Sequence, residues 1–207
     1  MKKMAVVLLV GVAGAACGAA QGGKDEGWIT LFNGKNLEGW QASENQGTFT
    51  VKDGELVVNG ARSHLFYAGP VRRHNFKNFE FRADVKTTKG SNSGIYFHTA
   101  FQPTDWPSKG FECQVNQTHP DPKKTGSLYN IKNVMNTSPV KDDEWWTYDI
   151  TVKGMQVTIK VNDKVVTEYT FPDDAPRKPT SGTFCLQAHD PKSKTYYKNI
   201  KVKPLPD

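Results

Sequence analysis

Two short segments carry polar side chains at the alternate spacing that suits proton transfer and sugar binding. In the first segment Tyr96 and His98 alternate with apolar residues, and in the second Glu112, Gln114 and Asn116 do the same. Because residues two apart on a strand point to the same face, each segment predicts a polar, titratable row on one face of a sheet. An ordinary solvent-facing strand would be rich in Lys, Thr and Ser. The two rows therefore predict a site.

Other polar and aromatic residues at strand ends extend this candidate site. His119 and Tyr129 lie in the segment after the second row, and Gln187 and His189 end a late apolar run. Trp106 offers a flat apolar surface on which a sugar ring can stack. Taken singly, each has a structural interpretation: a His or Gln satisfies backbone groups at a sheet edge, and a Trp pins a loop. The site hypothesis rests on several such residues recurring at one parity on separate strands.

The acidic residues argue against a standard retaining glycosidase. Glucanases with sandwich folds carry Glu-x-Asp-x-x-Glu on one strand, but here Gln114 and Gln117 follow Glu112 at the two acidic positions. Direct hydrolysis normally needs two carboxyl groups that flank the scissile bond. No Gly-x-Ser-x-Gly elbow and no close-spaced His/Cys set is present. No cofactor is therefore required, although a divalent metal ion held by His98, Glu112 or His119 remains open.

The elements that must position these residues are all predicted to be strands. β-branched and aromatic runs alternate with Gly, Pro, Asn and Asp, and no segment has the pattern of a long amphipathic helix. Asp53-Gly54 lies between two such runs and predicts a hairpin. About a dozen short strands without a helix indicate an all-β fold, an antiparallel two-sheet jelly-roll sandwich.

The N-terminal segment has the features of an export signal. Lys2 and Lys3 precede an apolar run of small and aliphatic residues that is too short for a membrane span. We expect residues 1–20 to be a signal peptide and residues 21–207 to be a single domain. Cleavage after residue 20 and lipid attachment at Cys17 are alternatives. Both predict a protein of the periplasm or cell envelope, and a lipid at Cys17 would be its contact with the membrane.

The distribution of charge excludes one class of partner. The net charge is +6 for the full sequence, and residues 21–207 keep 25 basic and 21 acidic residues, a net charge of +4. This excess is spread along the chain, whereas nucleic-acid binding needs a concentrated basic surface, so we exclude nucleic acid as a partner.

Cys113 and Cys185 fall on opposite parities relative to the polar rows, which makes a disulfide between them the less favoured alternative.

Several motifs together resemble one known family, the 3-keto-disaccharide hydrolase domain family. The matching segments cover nearly all of residues 21–207 in order: WITLFNGKNLEGW (28–40), GSNSGIYFH (90–98), GFECQVN (110–116), TGSLY (125–129), EWWTYDITVKG (144–154), GTFCLQAHD (182–190) and YYKNIKVKPL (196–205). The resemblance implies a concanavalin A-like jelly roll. The chain departs from the family pattern at Cys113, Cys185 and Asn130, and it has His98 where many relatives have Arg.

The resemblance also implies a reaction that needs only one carboxylate. A ketone at C3 acidifies the proton on C2, so a base forms an enolate, the C1 substituent leaves, and water adds. The implied substrate is an oxidised glycoside or oligosaccharide. Glu112, His189 and His98 are the expected catalytic residues, and the expected substrate-binding residues are Gln114, Asn116, His119, Tyr129, Gln187, Tyr96 and Trp106.

Two other functions remain as alternatives to catalysis. A carbohydrate-binding module would use the same polar face and flanking Trp side chains without turning over a substrate. A purely structural protein of the cell envelope is the third hypothesis, and it predicts that no pocket forms around Glu112.

Overall fold

The computed structural model describes residue 1 and residues 26–207. The expected signal peptide (1–20) lies outside the described residues apart from Met1, as does the candidate lipid-bearing Cys17. In the part of the chain that is described, no helix is long and apolar enough to cross a membrane.

The described residues form fifteen strands and two short 3-10 turns. The strands are β1 (Ile29–Thr30), β2 (Trp40–Ala42), β3 (Phe49–Lys52), β4 (Glu55–Asn59), β5 (Ser63–Tyr67), β6 (Phe79–Thr87), β7 (Asn92–Thr99), β8 (Phe111–Asn116), β9 (Lys123–Leu128), β10 (Lys132–Met135), β11 (Trp146–Lys153), β12 (Gln156–Val161), β13 (Lys164–Thr170), β14 (Thr183–Ala188) and β15 (Lys194–Pro204). The 3-10 turns are Gln46–Thr48 and Val71–His74.

These strands make two antiparallel sheets that pack face to face. The eight-stranded sheet has the order β13-β12-β11-β6-β15-β4-β3, with β1 paired to β15. The seven-stranded sheet has the order β10-β9-β8-β7-β14-β5-β2. The prediction of an all-β, two-sheet sandwich is confirmed. The three strands that carry the predicted polar rows, β14, β7 and β8, are neighbours at the centre of the seven-stranded sheet.

The alternation of residues along the strands explains how the sheets pack. In β6, Phe79, Phe81, Ala83 and Val85 are fully buried, while the charged residues between them are only partly buried. The apolar row faces the second sheet, as period-two alternation predicts. Residues of this kind from both sheets form one continuous hydrophobic core.

Two buried tyrosines of the eight-stranded sheet hold the strands that carry the polar rows. Tyr148 on β11 donates a hydrogen bond to the Gln114 carbonyl oxygen at 3.0 Å. Ser93 donates to the Gln187 carbonyl oxygen at 2.6 Å, and its hydroxyl lies 2.7 Å from the hydroxyl of Tyr197 on β15. The positions of the Gln114 and Gln187 backbones are therefore fixed by bonds that cross the core.

Different residues pack on the two faces of the seven-stranded sheet. Cys113 belongs to the core between the sheets, whereas Cys185 packs with Phe66 and Tyr96 on the face turned away from it. Both cysteines are free and buried, in agreement with the opposite parities seen in the sequence. Residues 100–110 lie over this second face, where the Phe101 ring meets the Phe66 ring at 5.4 Å. Tyr96, Glu112 and Gln114 of the polar rows lie on this second face.

Candidate active site

A cavity of about 510 Å³ opens on the second face of the seven-stranded sheet. It is bounded by β7, β8 and β14, by residues of the 100–110 and 129–131 segments, and by the end of β13 with the loop that follows it. Seven of the residues predicted from the sequence line it: Tyr96, Trp106, Glu112, Gln114, Tyr129, Gln187 and His189. A cavity therefore forms around Glu112, so the observation that would support a purely structural protein is not made.

Glu112 lines this cavity and is held by two neutral donors. The Tyr96 hydroxyl donates to Glu112 Oε2 at 2.8 Å, and Gln187 Nε2 donates to Glu112 Oε1 at 2.9 Å. Gln187 Nε2 also donates to the Tyr96 hydroxyl at 3.2 Å. Tyr96 pairs with Glu112 across β7 and β8, so strand register brings these groups together. The ion pairs of the described residues involve other carboxylates, namely Glu44, Asp105, Asp149, Asp163, Asp190 and Asp207.

This environment poises Glu112 for proton transfer near neutral pH. Burial raises the pKa of Glu112 from its ordinary value of 4.5 to about 7, although the hydrogen bonds from Tyr96 and Gln187 act in the opposite direction. Burial and the adjacent carboxylate raise the pKa of Tyr96 far above its usual range, so its hydroxyl stays protonated as a donor. A carboxyl with a pKa near the working pH can serve both as base and as acid.

Gly94 provides the space that the Glu112 carboxylate occupies. It lies on β7 directly opposite Gln114 on β8. A Cβ at this position would clash with Glu112 Oε1 and would lie 2.9 Å from Glu112 Cγ. Any larger residue here would therefore displace the carboxylate from its present position.

His189 is the second titratable group of the cavity, and Asp190 orients it. His189 Nδ1 lies 2.9 Å from Asp190 Oδ2, where it donates to the carboxylate and leaves Nε2 available to a ligand. Ser193 also donates to Asp190 Oδ2, at 2.7 Å. Burial raises the pKa of Asp190, but the hydrogen bonds from Ser193 and His189 outweigh it and hold the pKa below its usual value. Asp190 therefore stays ionised and fixes the ring of His189.

Among the His, Cys, Asp and Glu side chains of the described residues, one group has donor atoms close enough together to hold a metal ion. It comprises His119, His189 and Asp190, whose donor atoms all lie within 4.8 Å of one another. All three residues already have partners. His119 Nδ1 accepts a hydrogen bond from the Asp121 backbone N–H at 3.2 Å, and Asp190 Oδ2 accepts from His189 and Ser193. We therefore describe the group as a hydrogen-bond network and assign no metal to it.

Three buried amide oxygens at the cavity have no hydrogen-bond partner among the described residues. They are Oε1 of Gln114, Oε1 of Gln187 and Oδ1 of Asn92, and these side chains are only 1–3% exposed. Because a buried polar atom without a partner costs free energy, such atoms indicate that a ligand or water completes them. Acceptors of this kind suit the hydroxyl groups of a sugar.

Trp106 closes one side of the cavity and covers a neutral histidine. Its ring lies 5.3 Å from the His189 ring and 5.5 Å from the His64 ring, and the Arg62 guanidinium lies 5.4 Å from its centre. Burial lowers the pKa of His64 to about 4, so this ring is neutral at physiological pH. His64 pairs with Gln187 across β5 and β14, and it contributes packing beneath Trp106.

The expectation that His98 shares this cavity is wrong. His98 has a φ of 54°, which breaks the alternation at the end of β7 and turns its ring away from the face of Tyr96. Its Nε2 donates to the Lys77 carbonyl oxygen at 2.9 Å, its Nδ1 accepts from the Thr180 N–H at 3.2 Å, and its ring meets Phe79 at 5.7 Å. Burial lowers its pKa to about 4. His98 holds β7 to neighbouring segments.

Asn116 and His119 also lie outside the cavity lining. Asn116 Nδ2 donates to the carbonyl oxygens of Asp121 and Lys123 at 2.9 and 2.8 Å, and its Oδ1 accepts from the His119 N–H at 3.0 Å. Asn116 therefore shapes the β8–β9 turn, which corrects the expectation that it binds substrate. The His119 ring packs against the ring of His189 at 5.3 Å, so it supports a residue of the cavity.

The sequence did not identify the apolar end of the cavity. This end is lined by Ile131 and by Tyr169, Phe171, Pro176 and Arg177, which lie on β13 of the other sheet or just after it. Their alternation resembles that of any strand edge, and only the packing of β13 against β9 and β10 brings them to the site. Asn92 was missed as well, although it lies inside the GSNSGIYFH motif.

Comparison with known proteins agrees with this geometry. The model of a family described as the 3-keto-alpha-glucoside-1,2-lyase-like domain matches residues 27–203. A Bacteroides thetaiotaomicron protein named 3-keto-disaccharide hydrolase is 27% identical over 170 residues, which are 70% of this chain and 59% of that protein. The chain thus spans less than two thirds of that relative's length.

Solved structures share the fold. A Parabacteroides distasonis protein proposed to be a glycosyl hydrolase superposes with a TM-score of 0.73 at 26% identity, over 88% of this chain and 96% of that one. The carbohydrate-binding module CBM66 from Bacillus subtilis superposes with a TM-score of 0.57 at 11% identity, over 80% and 95% of the two chains, and shows the fold alone. The family match over residues 27–203 confirms the resemblance found in the sequence, and this chain belongs to the 3-keto-alpha-glucoside-1,2-lyase-like domain family.

Proposed function

We propose that this protein cleaves 3-keto-glycosides by removing the proton on C2, eliminating the C1 substituent and hydrating the product. The observation that carries the proposal is Glu112, a partly buried carboxyl in the cavity, whose pKa is raised to about 7 and whose two hydrogen-bond donors are neutral. The family and the name of the Bacteroides thetaiotaomicron relative support the class of substrate. The signal-like segment at 1–20 supports action outside the cytoplasm.

Glu112 is the base of the first step. Its ionised carboxylate takes the C2 proton, and the electron pair of the C2–H bond forms the enolate with the C3 ketone. The protonated Glu112 then supplies the proton that the C1 oxygen needs as the C1–O bond breaks. One carboxyl can do both because a pKa of about 7 lets it gain and lose a proton at the same pH.

His189 and Gln114 are the groups that suit the C3 oxygen as it gains negative charge. His189 Nε2 is free because Nδ1 is held by Asp190, and a protonated ring would donate from Nε2 to the enolate oxygen. The Gln114 side chain makes no hydrogen bond within the described part of the chain, so it can offer both a donor and an acceptor. The unpartnered oxygens of Gln187 and Asn92 would accept from the remaining hydroxyl groups.

Hydration completes the reaction and balances it. Water adds across the C1–C2 double bond, with its oxygen at C1 and a proton at C2, and the product is the 3-keto sugar. The net change is hydrolysis of the glycosidic bond, although no covalent glycosyl–enzyme intermediate forms. This route removes the need for the second carboxylate that the Glu112 strand lacks.

A direct test compares an oxidised substrate with its parent. Purified protein is incubated with a 3-keto-glycoside and with the same glycoside before oxidation, and sugar release is measured for the wild type and for Glu112→Gln. We expect release from the 3-keto-glycoside alone, and its loss in Glu112→Gln. Tight binding of the unoxidised glycoside without release of sugar from either compound would instead identify a carbohydrate-binding module.

A further inference from the structure

The cavity has a polar end and an apolar end on opposite sides of Glu112. On the side of β7 and β14 it is lined by Asn92, Gln187 and His189. On the other side, beyond β9 and β10, it is lined by Ile131 and by Tyr169 and other residues of the opposite sheet. Neighbouring strands are about 4.8 Å apart, so β10 lies about 10 Å from β8 and leaves room for one ring-sized group on that side.

The apolar end is a fixed wall of packed rings. Phe171 meets Phe111 at 4.9 Å and Tyr169 at 4.9 Å, and Phe111 stacks on the core residue Phe97 at 5.4 Å. Phe111 and Phe171 are about 5% exposed or less. Because these rings are held from behind by the core, their shape does not depend on a ligand.

Two of the polar groups at this end, the Tyr129 hydroxyl and the Arg177 guanidinium, already have partners. The Tyr129 hydroxyl donates to Asp121 Oδ2 at 3.0 Å. The Arg177 guanidinium donates to the Gly110 carbonyl oxygen and lies over the Phe111 ring at 5.2 Å. The Tyr169 hydroxyl and the Asn130 side chain also line this end and can pair with some hydroxyl groups of a second sugar. Its remaining hydroxyl groups would lie against Ile131 and aromatic carbon, and burying them without partners costs free energy. An apolar group would lose nothing comparable.

We propose that the natural leaving group is an aromatic or otherwise apolar aglycone, which fills the end lined by Ile131, Tyr169 and Phe171, rather than a second sugar. This inference rests on the proposed function, because it assigns the oxidised sugar to the polar end and the C1 substituent to the apolar end. The bond to be broken then lies beside Glu112, between the two ends. The name of the Bacteroides thetaiotaomicron relative specifies a disaccharide, so the inference separates this chain from that protein.

The experiment compares benzyl 3-keto-glucoside with a 3-keto-disaccharide of the same anomeric configuration. Benzyl alcohol is a slightly poorer leaving group than a sugar hydroxyl, so faster cleavage of the benzyl compound would report recognition of the aglycone rather than easier bond breaking. We expect kcat/KM to be at least about tenfold higher for the benzyl compound, the size of effect that one well-filled apolar pocket gives. A kcat/KM that is equal, or higher for the disaccharide, would overturn the inference.

Three variants test whether the wall causes the preference. Ile131→Ser and Tyr169→Ser are each expected to lower kcat/KM for the benzyl compound about tenfold and to change the value for the disaccharide less than twofold. Val165→Ser is the matched control, because Val165 is also on β13 but is 55% exposed and lies outside the cavity lining. Equal losses for both substrates in the wall variants would contradict the inference, and unfolding curves identify any variant that fails to fold.

Binding separates failure of this inference from failure of the proposed reaction. Both compounds are titrated into Glu112→Gln, which keeps the apolar wall but lacks the base. Tighter binding of the benzyl compound supports the apolar end even if the wild type turns over neither substrate, a result that would overturn the reaction alone. If the wild type cleaves both compounds but Glu112→Gln binds the disaccharide more tightly, the proposed reaction stands and the proposal of an apolar leaving group is refuted.

Discussion

Glu112→Gln should inactivate the protein and stabilise it at the same time. Folding moves the pKa of Glu112 from its ordinary 4.5 to about 7, so the folded state disfavours the ionised form. At about 1.36 kcal/mol per pH unit, this difference corresponds to about 3 kcal/mol of stability lost by the wild type once the group is fully ionised. A Gln has no charge to desolvate and escapes this loss.

The sign of the effect with pH follows from the direction of the pKa change. Below about pH 4.5 the carboxyl is protonated in both the folded and the unfolded states, so Glu112 contributes no pH-dependent term. Between pH 4.5 and about 7 the unfolded state loses its proton first, and the stability of the wild type falls as the pH rises. The free energy of unfolding of Glu112→Gln, relative to the wild type, should therefore rise by about 3 kcal/mol between pH 4.5 and 8.5.

The Gln side chain can keep both hydrogen bonds of the carboxylate. Its oxygen can accept from Gln187 Nε2, and its amide can donate to the Tyr96 hydroxyl, which accepts as well as donates. Denaturant unfolding of both proteins across this pH range gives the stability difference. Glu168→Gln is the control, because Glu168 is an exposed carboxylate outside the cavity. A difference for Glu112→Gln that does not change with pH would refute the reasoning.

Three further predictions concern the same site. Gly94→Ala should lower kcat at least about tenfold with a smaller effect on folding, because its Cβ would displace the Glu112 carboxylate; steady-state kinetics and unfolding curves check this. Asp190→Asn should lower kcat about ten- to a hundredfold, because a neutral amide holds the His189 Nδ1–H less firmly than a carboxylate does. Unchanged kinetics would contradict a role of the Asp190–His189 pair in the reaction. The pH profile of kcat/KM should rise with pH through about 7 as Glu112 ionises, and a flat profile from pH 5 to 8 would exclude Glu112 as the base.

The sequence predicted the fold because period-two alternation is a local property. β6 shows this most clearly, since its apolar residues are fully buried and its charged residues are not. The same alternation correctly placed Tyr96, Glu112 and Gln114 on one face of the sheet. It failed at His98, where a φ of 54° interrupts the strand and sends the ring elsewhere.

The remainder of the site depends on contacts between distant segments. Tyr169 and Phe171 reach the cavity because the edge of one sheet packs against the edge of the other, and periodicity along β13 carries no information about that contact. Asn116 and His119 look like site residues by type, yet the side-chain amide of Asn116 and Nδ1 of His119 make hydrogen bonds within the β8–β9 turn. Which polar residues stay free for a ligand is a property of the whole structure.

The most direct test of the proposed chemistry follows the proton on C2. A 3-keto-glycoside is cleaved in D₂O by the wild type and by Glu112→Gln, and mass spectrometry or NMR measures deuterium at C2 of the released sugar, with exchange in the absence of protein subtracted. Elimination and hydration predict one deuterium at C2 with the wild type, and neither cleavage nor incorporation with Glu112→Gln. Released sugar that keeps its original hydrogen at C2 would contradict the mechanism, because it would show that water attacks C1 directly.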